Sequence, residues 1–201
     1  MRLYGGIYFD ERGISTSIRG MHMQTELLSR INENVTGFNQ VGYQRTTPVI
    51  SSFAEYIGVH ALSTVKNDEV GRLTRTEKPL DFALAKPGYF QYKTPEGIKL
   101  TRDGRFKLDK NGNLLTLQGY KVLGANGQGI RFKSIPEDLN DIKVGIDGKI
   151  TVTDKNTFKT YEVGRLSVVS NKGDITQDVD VRQGFVEASN VSLQEEIFSL
   201  V

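Results

Sequence analysis

Side chains able to do acid–base, nucleophilic or metal chemistry are sparse in this sequence. Its 201 residues include two histidines, His22 and His60, and no cysteine. Thiol nucleophiles, disulfides and cysteine metal sites are therefore excluded. His22 sits between Met21 and Met23 on an amphipathic stretch, and His60 falls in a segment without clear period, so both read as packed or solvated rather than as a catalytic pair. A Ser-His-Asp relay finds no support in a Gly-x-Ser-x-Gly turn to present its nucleophile. Asp109-Lys110-Asn111-Gly112-Asn113 has the flavour of a calcium loop but lacks the full ligand alternation and the terminal bidentate Glu, and a β turn uses the same residues. Residues 124–129, GANGQG, lack both the Lys-Ser/Thr of a phosphate loop and the Gly-x-Gly-x-x-Gly spacing. Asn34-Val35-Thr36 and Asn190-Val191-Ser192 satisfy the glycosylation triplet, a pattern common by chance. Carboxylates are plentiful, with no pair spaced as acid and base. The sequence predicts no enzyme, no cofactor and no metal.

Charge and hydropathy narrow the partners. The formal net charge is +2 with both signs interspersed, which leaves no electrostatic footprint for nucleic acid or an anionic membrane. No apolar run approaches the roughly 18 to 20 residues that cross a bilayer, so no membrane insertion is expected, and residues 3–9 are too short and Gly-rich for a signal-peptide core. A hydrophobic share of 37% with 21 glycines and a mean hydropathy of −0.36 describe a soluble, turn-rich chain, which favours β structure.

The elements follow from periodicity. Residues 1–12 have no period and are expected to be irregular unless another chain orders them. Ile14, Met21, Leu28 and Val35 then recur every seven residues, with Ile18 and Ile31 on the same side, and predict an amphipathic helix over 14–35. Such a stripe either covers its own domain or seeks another helix. Residues 36–79 read as a connecting segment, extended over 45–50 and with a possible helix around 52–56. From Leu80 to Gly124 short alternating runs are separated by Pro95-Glu96-Gly97, Asp103-Gly104 and Asn111-Gly112, the last two in the manner of type I′ hairpin turns. Asp147-Gly148 is a further hairpin signal. Ser192 with Glu195 forms a capping-box pattern, followed by Leu193, Ile197 and Leu200 at helical spacing. The expected fold is mainly β: a central domain of short hairpins, an N-terminal amphipathic helix and the start of a C-terminal helix. Its expected divisions are 1–40 (N-terminal segment and helix), 41–79 (connection), 80–170 (central β domain) and 171–201 (return and helix start).

Several ordered motifs resemble the bacterial flagellar rod and hook proteins. Leu80-Asp81-Phe82-Ala83-Leu84, Gly88-Tyr89-Phe90, Thr101-Arg102-Asp103-Gly104-Arg105-Phe106, Gly112-Asn113-Leu114 and Gly119-Tyr120-Lys121-Val122-Leu123-Gly124 carry the central resemblance. An N-terminal signature is matched by Gly20, Met21, Gln24, Leu28, Ile31, Asn34, Asn39, Gly42 and Tyr43, with Glu33 where a second Asn is usual and Thr36-Gly37-Phe38 open to a shifted register. A second signature is matched by residues 183–191, including Gln183, Gly184, Ser189, Asn190 and Val191. Full family members continue for several turns beyond the position of Val201. The resemblance implies a structural subunit of the basal-body rod that polymerises with itself and other axial proteins, its terminal helices pairing into an inner tube with Ile14, Ile18, Met21, Leu28, Ile31 and Val35 at the subunit interface. It also implies delivery by the flagellar type III export apparatus without a cleaved signal, and a place in the periplasmic rod. It covers distal and proximal rod proteins alike. The alternatives are a hook-type axial protein and an independent β-rich surface binding module.

Overall fold

The computed structural model describes residues 11–53, 59–155, 159–176 and 178–199. Helix α1 (Glu11–Gly37) is longer at both ends than its apolar period predicts. Arg30 ties Glu26 one turn back at 2.6 Å and Glu33 at 2.8 Å on its polar side, pairs that each add a few tenths of a kcal/mol. Gly37 ends the helix against Tyr43, because a Cβ there would come 2.5 Å from the tyrosine ring. A hairpin follows, β1 (Thr46–Phe53) and β2 (Val59–Lys66), antiparallel with Thr46 opposite Lys66 and Phe53 opposite Val59. The helix expected around 52–56 is thus a strand at Ser52 and Phe53, where Thr, Val and Ile build a ladder; residues 54–56 lie outside the described residues. Pro48 is tolerated because β1 pairs on one edge alone.

The β domain runs through β3 (Leu73–Arg75), β4 (Phe82–Leu84), β5 (Tyr89–Thr94), β6 (Gly97–Thr101), β7 (Phe106–Leu108), β8 (Leu114–Thr116) and β9 (Lys121–Val122). It continues, after a 3-10 turn at Leu139–Asp141, with β10 (Ile142–Val144), β11 (Lys149–Thr153), β12 (Thr160–Arg165), β13 (Val168–Val169), β14 (Val181–Gln183) and β15 (Phe185–Glu187), and α2 (Leu193–Phe198) closes the described chain. A six-stranded sheet has the path β13-β5-β9-β8-β7 with β6 on the other edge of β5, and a three-stranded sheet has the order β10-β11-β12. Their inner faces share one core in which Phe82, Leu84, Phe90, Leu114, Val122, Ile142, Ile150 and Val152 are almost fully buried. Phe106 packs edge-on to Phe90 at 5.4 Å and tilted to Phe82 at 5.7 Å, separations typical of favourable aromatic pairs.

The hairpin turns differ in type from the expectation. At 109–113, 116–120, 124–128, 145–149 and 170–174 the same loop recurs, and in the first of these Gly112 N–H donates to Asp109 O (3.1 Å) while Asp109 N–H donates to Asn113 O (3.1 Å). The glycine alone has positive φ, +79° at Gly112 and +78° at Gly148, and neither Asn111 nor Asp147 does. This is a type I turn closed by a glycine bulge, since type I′ needs positive φ at both central residues. Asp103-Gly104 is not a hairpin at all, for β6 pairs with β5 and β7 with β8. Gly104 serves a close approach: a Cβ there would lie 1.7 Å from Phe82 O, and Phe82 N–H donates to Gly104 O at 2.9 Å.

The return of the chain completes the domain from outside the expected 80–170 limits. β14 pairs with β4 and β15 with β3, and Val181 belongs to the shared core. Between them Gly184, at φ +78°, lets one extended segment leave the edge of β4 and join that of β3.

Candidate functional site

The polar groups that sequence motifs place far apart converge where α1 enters the β domain and α2 leaves it. Asn34, on the last turns of α1, is buried. Its Oδ1 accepts from Thr46 N–H (3.0 Å) and the Tyr43 hydroxyl (3.3 Å), and its Nδ2 donates to Thr46 O (3.0 Å) and Glu196 Oε2 (3.2 Å). Every hydrogen-bonding position of the amide is used. Burial chiefly, with the charges of Glu33 and Glu196, raises the Tyr43 pKa. Glu196 is a buried carboxylate on α2, also held by Arg45 Nε at 2.6 Å, while Arg45 Nη1 reaches Glu195 Oε2 at 2.5 Å. Ser192 caps α2 by accepting from Glu195 N–H, but the Glu195 side chain goes to Arg45 and does not return to the cap. The expected reciprocal capping box is half formed, because a guanidinium is the stronger donor.

Asn190 makes the second clamp. Its Oδ1 accepts from Arg45 N–H (2.6 Å), and its Nδ2 donates to Asn67 O and Glu69 O (2.9 Å each). A glycan on that nitrogen would break the clamp. Beside it, Gly42 at φ +69° donates to Glu187 O at 2.7 Å, and a Cβ on Gly42 would come 2.4 Å from Asp103 N.

Beneath both clamps Arg102 and Glu187 form an ion pair at 2.7 Å, each side chain 1% exposed. Glu187 Oε1 accepts from Gly71 N–H (2.9 Å), and Arg102 Nη1 donates to Lys86 O (3.0 Å) and Gly88 O (2.7 Å). The guanidinium lies 6.0 Å from the centre of the Tyr89 ring, within reach of a cation–π contact. The Tyr89 hydroxyl bonds Asp68 Oδ1 at 2.7 Å and the Gln44 amide. Burial first, then the Asp68 carboxylate, pushes the Tyr89 pKa well up. At the far end of the same return, Gln183 Nε2 donates to Pro79 O and Ile142 O (2.8 Å each), and its Oε1 accepts from Val144 N–H (3.1 Å).

Of the residues singled out in the sequence, Asn34, Gly42, Tyr43 and Asn190 meet at this joint. Val191 is buried next to it, its N–H bonded to Ser189 Oγ at 3.2 Å. Gln183 and Gly184 act one strand away. Gly20 has open space around it, and Asn39 is exposed. Ile18, Met21 (59%), Leu28 (55%) and Val35 stand exposed on α1 and Ile31 is half-buried; the side chain of Ile14 lies outside the described residues. Periodicity missed Gln44, Arg45, Asp68, Arg102, Glu187 and Glu196. Arg102 and Glu187 do lie inside the motifs, at positions where a solvated charge would read identically. Asp109 keeps its oxygens for Asn111 N–H (2.9 Å) and for Asn113 N–H and Nδ2 (2.7 and 2.8 Å), so these residues make a turn. Among the described residues no acidic, histidine or cysteine cluster could hold a metal.

The arrangement is a β domain from which α1 and α2 leave at one buried polar joint. Residues 83–152 match the flagellar hook protein FlgE/F/G D1 domain. The chain is 28% identical to the flagellar basal-body rod protein FlgF of Rhizobium meliloti (strain 1021) over 95% of this chain and 87% of that protein. It is 30% identical to the rod protein FlgG of Buchnera aphidicola subsp. Schizaphis graminum over 72% of this chain and 63% of that protein, and 34% identical to the hook protein FlgE of Brucella abortus biovar 1 over 55% and 30%. Together these matches support membership of the flagellar rod protein family.

Proposed function

We propose that this chain is a structural subunit of the flagellar basal-body rod, polymerising with copies of itself and other axial proteins into a helical tube that transmits torque. The supporting observation is the extent of likeness: a rod protein aligns over 87% of its length, whereas a hook protein aligns over 30% of its own. The uncovered α1 stripe supports it physically, because apolar surface left in water forfeits about 25 cal/mol for each Å² that could be buried. A head-to-tail contact whose rotation does not close produces a helical assembly. In this reading the terminal helices are the inner layer, the joint at Asn34 and Asn190 sets their angle to the β domain, and the type III export apparatus delivers the chain without a cleaved signal.

The test is an epitope-tagged chain expressed from its own locus in motile cells, followed into purified hook–basal bodies. Tag in the rod fraction and loss of swimming on deletion are expected. Tag confined to the hook fraction would favour a hook role, and tag absent from basal bodies altogether would sink the reading.

A further inference from the structure

The outward face of the six-stranded sheet is unusual in charge. Register places Ile98 opposite Lys93, Lys93 opposite Lys121, Lys121 opposite Leu115 and Leu115 opposite Lys107. These residues therefore form one row across β6, β5, β9, β8 and β7, on the side away from Phe90, Phe106 and Leu114. Strand spacing makes the row about 19 Å long. The lysines are exposed, and among the described residues none of them makes an ion pair; Lys107 donates to Leu117 O at 2.8 Å. The neighbouring Asp109 is occupied by its own turn. Two lysines directly opposed across an antiparallel pair destabilise an isolated sheet, and Ile98 between charges is 59% exposed. Three cations aligned in one row give a charge that an acidic surface would complement, and Ile98 supplies apolar area beside them.

The same chain carries a complementary surface. Around the 3-10 turn and the end of β11, Glu137, Asp141 and Asp154 border a cleft of about 210 Å³, and Asp138 follows Glu137 in the chain. Lys155 enters it and is shared between Asp138 (3.3 Å) and Asp141 (3.2 Å). Ile135 and Leu139 stand exposed beside the carboxylates.

We infer that the lysine row of one copy docks on the acidic lip of the next, so that the β domains of neighbouring subunits make an outer contact independent of the helices. The inference rests on the polymerising role proposed above. The two patches differ, so the contact is heterologous, the kind that builds an open helical assembly when its rotation does not close. Opposite charge supplies encounter and register, and the aliphatic residues are buried between the charges.

Charge reversal tests it in the full chain, in motile cells. Lys93→Glu with Lys121→Glu, and separately Glu137→Lys, are each expected to lower the amount of chain in purified basal bodies at least several-fold. The three changes together are expected to restore it. Because Lys93, Lys121 and Glu137 are exposed, thermal unfolding of each purified variant should match the wild type, which separates lost docking from lost folding. Normal incorporation of both single-patch variants would overturn the contact, as would a combined variant no better than either. Absence of the wild-type chain from basal bodies would instead remove the polymerising role itself. A second readout needs no reversal: Lys121→Cys with Glu137→Cys should give disulfide-linked dimers and longer ladders in assembled rods. Assembled rods with no ladder would count against the docking.

Discussion

Arg102 and Glu187, 85 positions apart in sequence, meet as a buried ion pair at 2.7 Å that joins the end of β6 to the last residue of β15. A pair this buried contributes little net stability, because both ions have left water, yet breaking it strands a charge. Glu187→Ala and Arg102→Ala should therefore each destabilise the domain by about 3 to 5 kcal/mol. Arg102→Met combined with Glu187→Leu should cost far less than the sum, by urea midpoints at constant slope. Additive losses would show that the two side chains do not act on one another.

Gly112 and Gly119 occupy the same position of the same turn, with φ of +79° and +91°. They differ in surroundings, since a Cβ on Gly112 would come 2.5 Å from Phe132 O, while Gly119 has nothing within 4 Å. Gly119→Ala should cost the left-handed backbone alone, about 1 to 2 kcal/mol. Gly112→Ala should cost that and the displacement of Phe132, whose backbone N–H donates to Gly112 O at 2.7 Å. Equal unfolding midpoints for the two variants would show that the Phe132 contact carries no weight.

Strand positions and most turn positions were legible in the chain, and turn type was not, for a reason these glycines make plain. Asn-Gly and Asp-Gly announce a residue with positive φ, but both type I′ and the bulged type I turn use it, and loop length decides between them. Asp103-Gly104 misleads more deeply: there the glycine makes room for Phe82 O, a contact no local pattern encodes. The pairing of residues 181–187 with β4 and β3 is likewise not written in their own sequence. At the joint, Asn34 and Asn190 were visible through the family motifs. Their partner Glu196 reads as one more helix-surface acid, since its burial depends on Arg45 arriving from 151 residues away.

Tyr89 gives the fold an alkaline limit. Its phenol is raised by burial and by Asp68, so the folded pKa lies above the unfolded value near 10. The neutral phenol thus contributes stability that is fully present below about pH 10 and is lost as pH rises further, because the unfolded chain gives up its proton first. Stability measured by urea unfolding should begin to fall near about pH 10 and keep falling as pH rises further. Tyr89→Phe should be less stable at pH 7, having lost the bonds to Asp68 and Gln44, and should show a shallower alkaline decline. An unchanged decline would assign it to other tyrosines, Tyr43 among them.

The α1 stripe separates folding from assembly. Leu28 is 55% exposed and Ile31 half-buried, and the shared β core contains neither. An isolated amphipathic helix of this length is marginal in water, so its apolar side is stabilised chiefly by whatever covers it. Leu28→Asp with Ile31→Asp places two carboxylates where a neighbouring helix would have to desolvate them. Motility and recovery of the chain in basal bodies should be abolished, while the thermal midpoint of the β domain should shift by no more than a surface change does, within about 0.5 kcal/mol. Unfolding of the β domain in this variant would mean that the stripe belongs to the domain's own core. Intact motility would mean that the helix is dispensable to the assembly, and the rod-subunit role would then lack its physical basis.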